Sequence, residues 1–189
     1  MKLLERIREG VFLMDGAMGT QIQGQSVPKS AWQGKEGCNE LLNLTAPGIV
    51  RQIHADNFRA GSDAVETNSF GSSPITLGEY GLSKRAREIS RAAARVAREA
   101  ADDLSTPDQP RFVFGSVGPG AKLATLGQIS FDDLCDAQQI QIEGLLEGGA
   151  DAILLETCQD LLQIKAGLVA FDKVVGPKSG KLLYVSVTV

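Results

Sequence analysis

The chain has 189 residues, a length that suits one domain with a core of its own, and its 43% hydrophobic and 22% charged residues exclude a mostly disordered protein. Its 19 lysines and arginines are outnumbered by 23 aspartates and glutamates, which gives a formal net charge of −4 with the single histidine neutral. The chain therefore offers no basic surface to a nucleic acid or an anionic membrane, and neither is expected as a partner.

Short aliphatic runs alternate along the chain with longer segments of helical periodicity, a pattern typical of βα units around a parallel sheet. The middle runs follow glycines or a proline-rich loop that end the preceding helix, and they are apolar on both faces, as buried parallel strands are. Five strands are predicted, at residues 11–15, 64–67, 112–116, 152–156 and 182–189.

The longer segments are predicted to be helices, because their apolar residues repeat with helical spacing and their first residues are typical caps. Pro47 suits the first turn of a helix, and Ser130 precedes two aspartates that favour a helix start. The predicted helices cover about 45–60, 83–100, 130–148 and 159–174.

The end of the sequence is an apolar run with no helix after it, at residues 182–189. A terminal parallel strand leaves an unpaired edge, and five strands are fewer than the eight of a closed (β/α)8 barrel. We therefore expect the sequence to stop inside its domain, near the fifth strand. We also expect the isolated chain to self-associate through its open edges, or to be disordered where the rest of the wall is missing.

The three cysteines, Cys38, Cys135 and Cys158, are odd in number, widely spaced and contain no C-x-x-C pair. This usage favours reduced thiols in a cytoplasmic protein over a disulfide framework or a zinc finger. The N-terminal segment is charged throughout, and no apolar run is long enough for a signal peptide or a membrane-spanning helix. The expected location is the cytoplasm.

Acidic residues end three of the predicted strands: Asp15, Glu66 and Glu156, with Ser116 at the end of a fourth. Functional groups collect at the carboxyl ends of parallel strands, where the loops converge. Carboxylates that meet there repel one another unless a cation lies among them, so a ligand ammonium group or a metal ion is expected. The alternative is that each acid caps the next helix or pairs with a nearby lysine or arginine.

Glycines follow two of these strand ends, Gly16 after Asp15 and a Gly-Pro-Gly turn after Ser116. Without side chains, they allow backbone N–H groups to approach an anion such as a carboxylate. No glycine-rich nucleotide-binding motif is present. A site for an ammonium group beside a site for an anion predicts an amino acid as the ligand.

Five segments of the chain, from about residue 11 to residue 160, together resemble the homocysteine-binding domain of cobalamin-dependent methionine synthase. They are Asp15-Gly16-Ala17-Met18-Gly19-Thr20, Cys38-Asn39-Glu40-Leu41-Leu42-Asn43-Leu44-Thr45, Glu66-Thr67-Asn68-Ser69-Phe70-Gly71, Gly115-Ser116-Val117-Gly118-Pro119 and Leu155-Glu156-Thr157-Cys158-Gln159-Asp160. The second segment favours this group over relatives that use betaine or S-methylmethionine.

The resemblance implies an α/β fold, a TIM (β/α)8 barrel, of which residues 1–189 are the N-terminal part with about five βα units. It implies homocysteine as the substrate, bound by zinc as a thiolate that attacks the methyl group of methylcobalamin, because zinc lowers the pKa of a thiol. Zinc and cobalamin are thus implied as cofactors of the full-length parent. Its methylcobalamin-binding and folate-binding domains are implied as partners.

On this resemblance, the predicted substrate-binding residues are Asp15, Gly16, Ala17, Glu66, Asn68, Ser116 and Glu156. The ammonium group of homocysteine is assigned to Asp15 and Glu156. The carboxylate group is assigned to the backbone at residues 16–17, with help from Ser116 and Asn68.

The family's zinc ligands are three cysteines near the sixth and eighth strands, and the cysteines of this chain do not match those positions. We expect no catalytic residue, metal ligand or bound cofactor in this chain, and no methyl transfer by the chain alone. Two other functions stay open. One is a cobalamin-independent methyltransferase that uses betaine or S-methylmethionine, and the other is a metal-free module that binds an amino acid.

Overall fold

The computed structural model describes residues 3–176 and 179–188, in which helices and strands alternate. The helices are α1 (Leu3–Arg8), α2 (Met18–Gln23), α3 (Lys29–Trp32), α4 (Leu42–Thr45), α5 (Pro47–Ala60), α6 (Pro74–Gly78), α7 (Ala86–Leu104), α8 (Phe131–Glu147) and α9 (Leu161–Val175). The strands are β1 (Ala64–Glu66), β2 (Phe112–Val117), β3 (Ala152–Cys158) and β4 (Leu182–Val187). Two 3-10 turns, Asn39–Leu41 and Ser83–Arg85, precede α4 and α7.

The four strands form one parallel sheet in the order β1-β2-β3-β4. Each strand therefore lies beside the next one in the chain, and the long helices α7, α8 and α9 provide the connections. A sheet whose order follows the sequence without reversal is that of a (β/α) barrel, whereas a doubly wound sheet reverses its order. The α/β class and the partial-barrel fold predicted from the sequence are confirmed.

Four of the five predicted strands are present, but the prediction of a strand at residues 11–15 is wrong. The Leu13 carbonyl accepts from the N–H groups of Asp63 (2.8 Å) and Ala64 (3.2 Å) at the start of β1. The Leu13 N–H donates to the Asp63 carboxylate (2.9 Å) in place of a backbone carbonyl. This side chain interrupts a regular ladder, so the segment lies along β1 as irregular chain. Val189, the end of the last predicted strand, lies outside the described residues.

The four predicted helices are confirmed as α5, α7, α8 and α9, with starts and ends within a few residues of the predicted ones. Pro47 occupies the first turn of α5. The Ser130 hydroxyl accepts from the Asp133 N–H (3.0 Å) and so caps α8, as predicted. The start of α7 is later than predicted, because residues 83–85 form a 3-10 turn. No helix in the described part of the chain is long and apolar enough to cross a lipid bilayer.

The two faces of the sheet have different neighbours. One face packs through Val113, Ile153 and Leu155 against α7, α8 and α9, and this is the largest hydrophobic core. The other face carries aromatic rings, including Phe114 and Tyr184 with centroids 5.2 Å apart. An apolar cavity of about 340 Å³ lies along this second face. The second face corresponds to the interior of a barrel.

Candidate functional site

A cavity of about 320 Å³ lies at the carboxyl ends of β1, β2 and β3. All seven residues predicted from the sequence line it: Asp15, Gly16, Ala17, Glu66, Asn68, Ser116 and Glu156. The structure therefore brings together side chains from four separate parts of the chain. Glu66, Ser116 and Glu156 meet there because parallel strands end at one edge of a sheet. Asp15, Gly16 and Ala17 reach the same edge from the irregular segment that lies along β1.

The three predicted acids interact with one another inside the cavity. Asp15 Oδ1 accepts from the Glu66 N–H (3.0 Å), and Ser116 Oγ is hydrogen-bonded to Glu156 Oε1. Burial raises the pKa of Asp15 to about 7, and the negative charge of Glu156 adds to this effect. Burial, followed by the charges of Glu156 and Asp15, raises the pKa of Glu66 to about 8. The carboxyl groups therefore lack a compensating positive charge.

The walls of the cavity contain no lysine, arginine or histidine among the described residues. The alternative in which each acid pairs with a nearby basic side chain therefore does not apply to these three carboxyl groups. A ligand that carries an ammonium group would supply the missing charge and lower the repulsion between the carboxylates.

Strand β3 is irregular beside Glu156. Its pairing with β4 shifts register between Leu155 and Cys158, and Thr157 has a φ of 56°, an unusual value for a β-branched residue. Leu155 and Cys158 both pack into the core against the helices. In a regular strand one residue separates two side chains on the same face, but here two residues separate Leu155 from Cys158, as in a β-bulge. Glu156 points to the cavity on the opposite face of the sheet.

The amide of Asn68 has both of its N–H donors in use. Asn68 Nδ2 donates to the Asn39 carbonyl (2.8 Å) and to Asn43 Oδ1 (3.2 Å). Asn43 Nδ2 in turn donates to the carbonyls of Asn68 (2.7 Å) and Glu40 (2.8 Å). Backbone carbonyls only accept, so these contacts fix the orientation of both amides. The free polar atom of the Asn68 side chain is therefore an acceptor, Oδ1.

Ser116 is arranged in a similar way. Its N–H donates to Thr67 Oγ1 (3.0 Å), and its hydroxyl is bonded to Glu156. As arranged, neither Ser116 nor Asn68 has a donor free for a ligand carboxylate. The N–H groups of residues 17–19, by contrast, donate to no atom of the described chain. The donors available to an anion are therefore on the backbone after Asp15.

A metal site is not part of this arrangement. No group of three or more histidine, cysteine, aspartate or glutamate residues in the described chain is placed to hold a metal ion. Cys38, Cys135 and Cys158 are buried free thiols, each in a different hydrophobic cluster. They do not fit a three-cysteine zinc site.

Several residues of the cavity were not predicted from the sequence. Met18, Gly19, Asn39, Glu40, Thr67, Ser69 and Phe70 also line it. Most of them directly follow residues that were predicted. Asn39 and Glu40 are different, because they lie in a 3-10 turn that is adjacent in sequence to none of the predicted residues. The one sequence feature that points to Glu40 is its place in residues 38–45, the second of the five segments that carry the family resemblance.

Solved structures with the same fold include homocysteine methyltransferases. The chain is similar to the metallated form of the homocysteine methyltransferase MmuM from Escherichia coli, with a TM-score of 0.73 and 24% identity over 91% of this chain and 64% of that one. The oxidized form gives a TM-score of 0.72 and 23% identity, over 93% of this chain and 61% of that one. These similarities define the class of fold, a barrel of the homocysteine methyltransferase type.

Sequence comparison then gives the family. The family model described as Homocysteine S-methyltransferase matches residues 12–189, so the chain belongs to the homocysteine S-methyltransferase family. It is 48% identical over 167 residues to methionine synthase of Mycobacterium tuberculosis (strain ATCC 25618 / H37Rv), and 47% identical to that of Mycobacterium leprae (strain TN). In both cases the matched region covers 88% of this chain. It spans only 14% of the relative's length.

Proposed function

We propose that this chain binds homocysteine for an S-methyltransferase that forms methionine, and that the cavity binds the amino-acid end of the substrate. The observation that carries the proposal is the convergence of Asp15, Glu66 and Glu156 on one cavity without a basic residue in its described walls. Membership of the homocysteine S-methyltransferase family supports the choice of substrate.

In this proposal, the ammonium group of homocysteine lies among the carboxylates of Asp15, Glu66 and Glu156. The acceptor atoms of Ser116 and Asn68 complete this polar wall, since their donors are already used. The substrate carboxylate binds the free backbone N–H groups after Asp15, including those next to Gly16 and Ala17. The two charged groups of one amino acid would then hold its sulfur in a single orientation.

Zinc and cobalamin are proposed as cofactors of the parent protein, acting through residues outside the described part of this chain. The methionine synthase relatives, of which this chain spans 14%, support this view. Domains that bind methylcobalamin and folate would then be its partners. In this proposal the described residues, which contain no group placed to hold a metal ion, bind and orient the amino acid. The free thiols favour a cytoplasmic location.

The main alternative is a cobalamin-independent enzyme that takes its methyl group from S-methylmethionine or betaine. Identity of 47–48% to methionine synthases, compared with 23–24% to MmuM, favours the cobalamin-dependent function. No observation on the described residues favours a metal-free binding module over an enzyme.

The test is methionine formation by the complete natural protein from homocysteine, with methylcobalamin, S-methylmethionine or betaine supplied in separate assays. We expect product with methylcobalamin, loss of activity on zinc removal, and no product from the isolated 189-residue chain. Product from S-methylmethionine or betaine alone would support the alternative enzyme. Product from none of the three donors would contradict both.

A further inference from the structure

The loop that follows β1, residues 67–71, forms one rim of the cavity and is called the rim loop below. Glu40 Oε1 accepts from the N–H of Gly71 at the end of this loop (2.7 Å). Asn43 and Asn68 are joined by the mutual amide hydrogen bonds described above. The segment that contains Glu40 and Asn43 therefore holds the rim loop at two points, Gly71 and Asn68. The contact of Glu40 with Gly71 has no role in the proposed function.

The fit between Glu40 and Gly71 leaves no spare room. A Cβ atom at position 71 would lie 2.8 Å from Glu40 Oε1, closer than real Cβ atoms come to such a neighbour. Gly71 is also buried, which disfavours water as a substitute partner for its N–H. The carboxyl of Glu40 is thus the acceptor on which this N–H depends.

The other side of the rim loop is equally constrained. The Phe70 carbonyl accepts from the Gly118 N–H (3.1 Å), and the Phe70 ring lies 2.8 Å from where a Cβ of Gly118 would be. The rim loop is therefore held between Glu40 on one side and Gly118 on the other. Asn68 and Phe70 both face the cavity from this loop, so movement of the loop would change the shape of the cavity.

We propose that Glu40 is a positioning residue of the amino-acid site, which acts through the Gly71 N–H and fixes the rim loop against the bound substrate. This inference rests on the proposed function, because it names what holds that same site in shape. Glu40 has the role of a hydrogen-bond acceptor here, so glutamine can replace it and alanine cannot.

The test is calorimetric titration of homocysteine into the complete natural protein and its variants. We expect Glu40→Ala to weaken binding about tenfold, because the buried Gly71 N–H loses its partner. We expect Glu40→Gln to stay within about threefold of the unaltered protein, since its amide oxygen can accept from the same N–H. Val113→Ala is the matched control: it removes core volume away from the cavity and should lower stability without changing affinity.

A second variant addresses the same contact from the loop. Gly71→Ala should also weaken binding, because its methyl group would displace the Glu40 carboxyl. The double variant, which combines Glu40→Ala and Gly71→Ala, should bind homocysteine about as well as the single variant with the lower affinity. The two losses should not add, since both substitutions act on one contact.

Three results would overturn the inference. They are unchanged affinity in Glu40→Ala, an equal loss in the Val113→Ala control, and a loss in Glu40→Gln as large as in Glu40→Ala. The last would mean that the charge of Glu40 acts on the ligand directly. If the unaltered complete protein fails to bind homocysteine, the proposed function fails, and this inference fails with it.

Discussion

Asp15 and Glu66 are the residues whose ionisation is most strongly altered by the fold. Their pKa values rise from 3.8 and 4.5 to about 7 and about 8, with burial as the main cause. Between about pH 4 and pH 8 the folded protein therefore keeps protons that the unfolded chain releases. The free energy of unfolding should fall as the pH rises through this window, because the folded state must give up those protons or keep them at a growing cost.

The corresponding prediction concerns Glu66→Gln. At pH 8 this variant should be more stable than the unaltered protein, because glutamine removes the cost of keeping Glu66 protonated or of burying its charge. Near pH 4 the two should be equal. Thermal unfolding at both pH values measures the difference, with a shift of about 4 °C or more expected at pH 8. Glu36→Gln, at an exposed position, is the control. A gain in stability of the same size at both pH values would contradict this account of the carboxyl cluster.

The site residues differ in how well the sequence predicts them. Glu66 and Glu156 could be predicted because a polar residue at a strand end needs only the strand to be recognised. Asp15 lines the cavity although the strand predicted before it is absent, because residues 11–15 still lie along β1. Glu40 could not be predicted in this way, because its contact with Gly71 joins parts of the chain 31 residues apart. The bulge at Thr157 is also absent from any local pattern, since a β-branched residue is not expected at positive φ.

Among the helices, α7 and α8 approach one another closely, and one glycine on α8 and another directly after it allow this. A Cβ atom at Gly144 would lie 2.5 Å from the Arg87 carbonyl and 2.8 Å from the Ser90 Cβ. A Cβ atom at Gly148 would lie 2.3 Å from the Arg91 carbonyl. The neighbours are backbone atoms and a short side chain, so a larger residue would force the helices apart.

We therefore predict that Gly144→Ala lowers the free energy of unfolding by about 1–3 kcal/mol, the usual cost of overpacking. The matched control is Gly48→Ala on α5, where the new methyl group meets no atom within 4 Å beyond its chain neighbours and its own helix backbone. It should leave stability unchanged or raise it slightly, because alanine favours helix. Denaturant unfolding measures both. Equal effects of the two substitutions would show that close helix packing is not the reason for glycine at position 144.

The helices and most strands were predictable because their periodicity and caps are local properties, as at Ser130 and Pro47. Residues 11–15 have the composition of a strand, yet composition cannot show what an edge will pair with. The Asp63 side chain takes up the Leu13 N–H, and a residue about 50 positions away decides whether a strand forms. The failure of this prediction is therefore a tertiary effect.

For the molecule as a whole, the sheet is open at β4. No described strand pairs with the outer edge of β4, and Val185 and Val187 are 39% and 55% exposed. Exposed strand edges pair readily with other chains. The apolar cavity along the inner face of the sheet adds further uncovered surface.

We predict that the isolated 189-residue chain forms dimers or larger species in sedimentation experiments, with a proportion that rises with concentration. Val185→Lys should reduce this association, because a charged side chain on an edge strand opposes pairing. The control is Gln52→Lys, which adds the same charge at an exposed helix position. Val113→Lys is not suitable, since Val113 is fully buried. A compact monomer at every concentration would contradict the prediction.

The central claim is that the clustered carboxyl groups recognise the ammonium group of a sulfur amino acid. It is tested most directly by calorimetry on the complete natural protein with homocysteine and with 4-mercaptobutyrate, which lacks the amine. We predict that homocysteine binds at least about tenfold more tightly, as expected for a charge-assisted contact, and that Glu156→Gln narrows this preference. Equal binding of the two ligands, or a preference unchanged in Glu156→Gln, would contradict the claim.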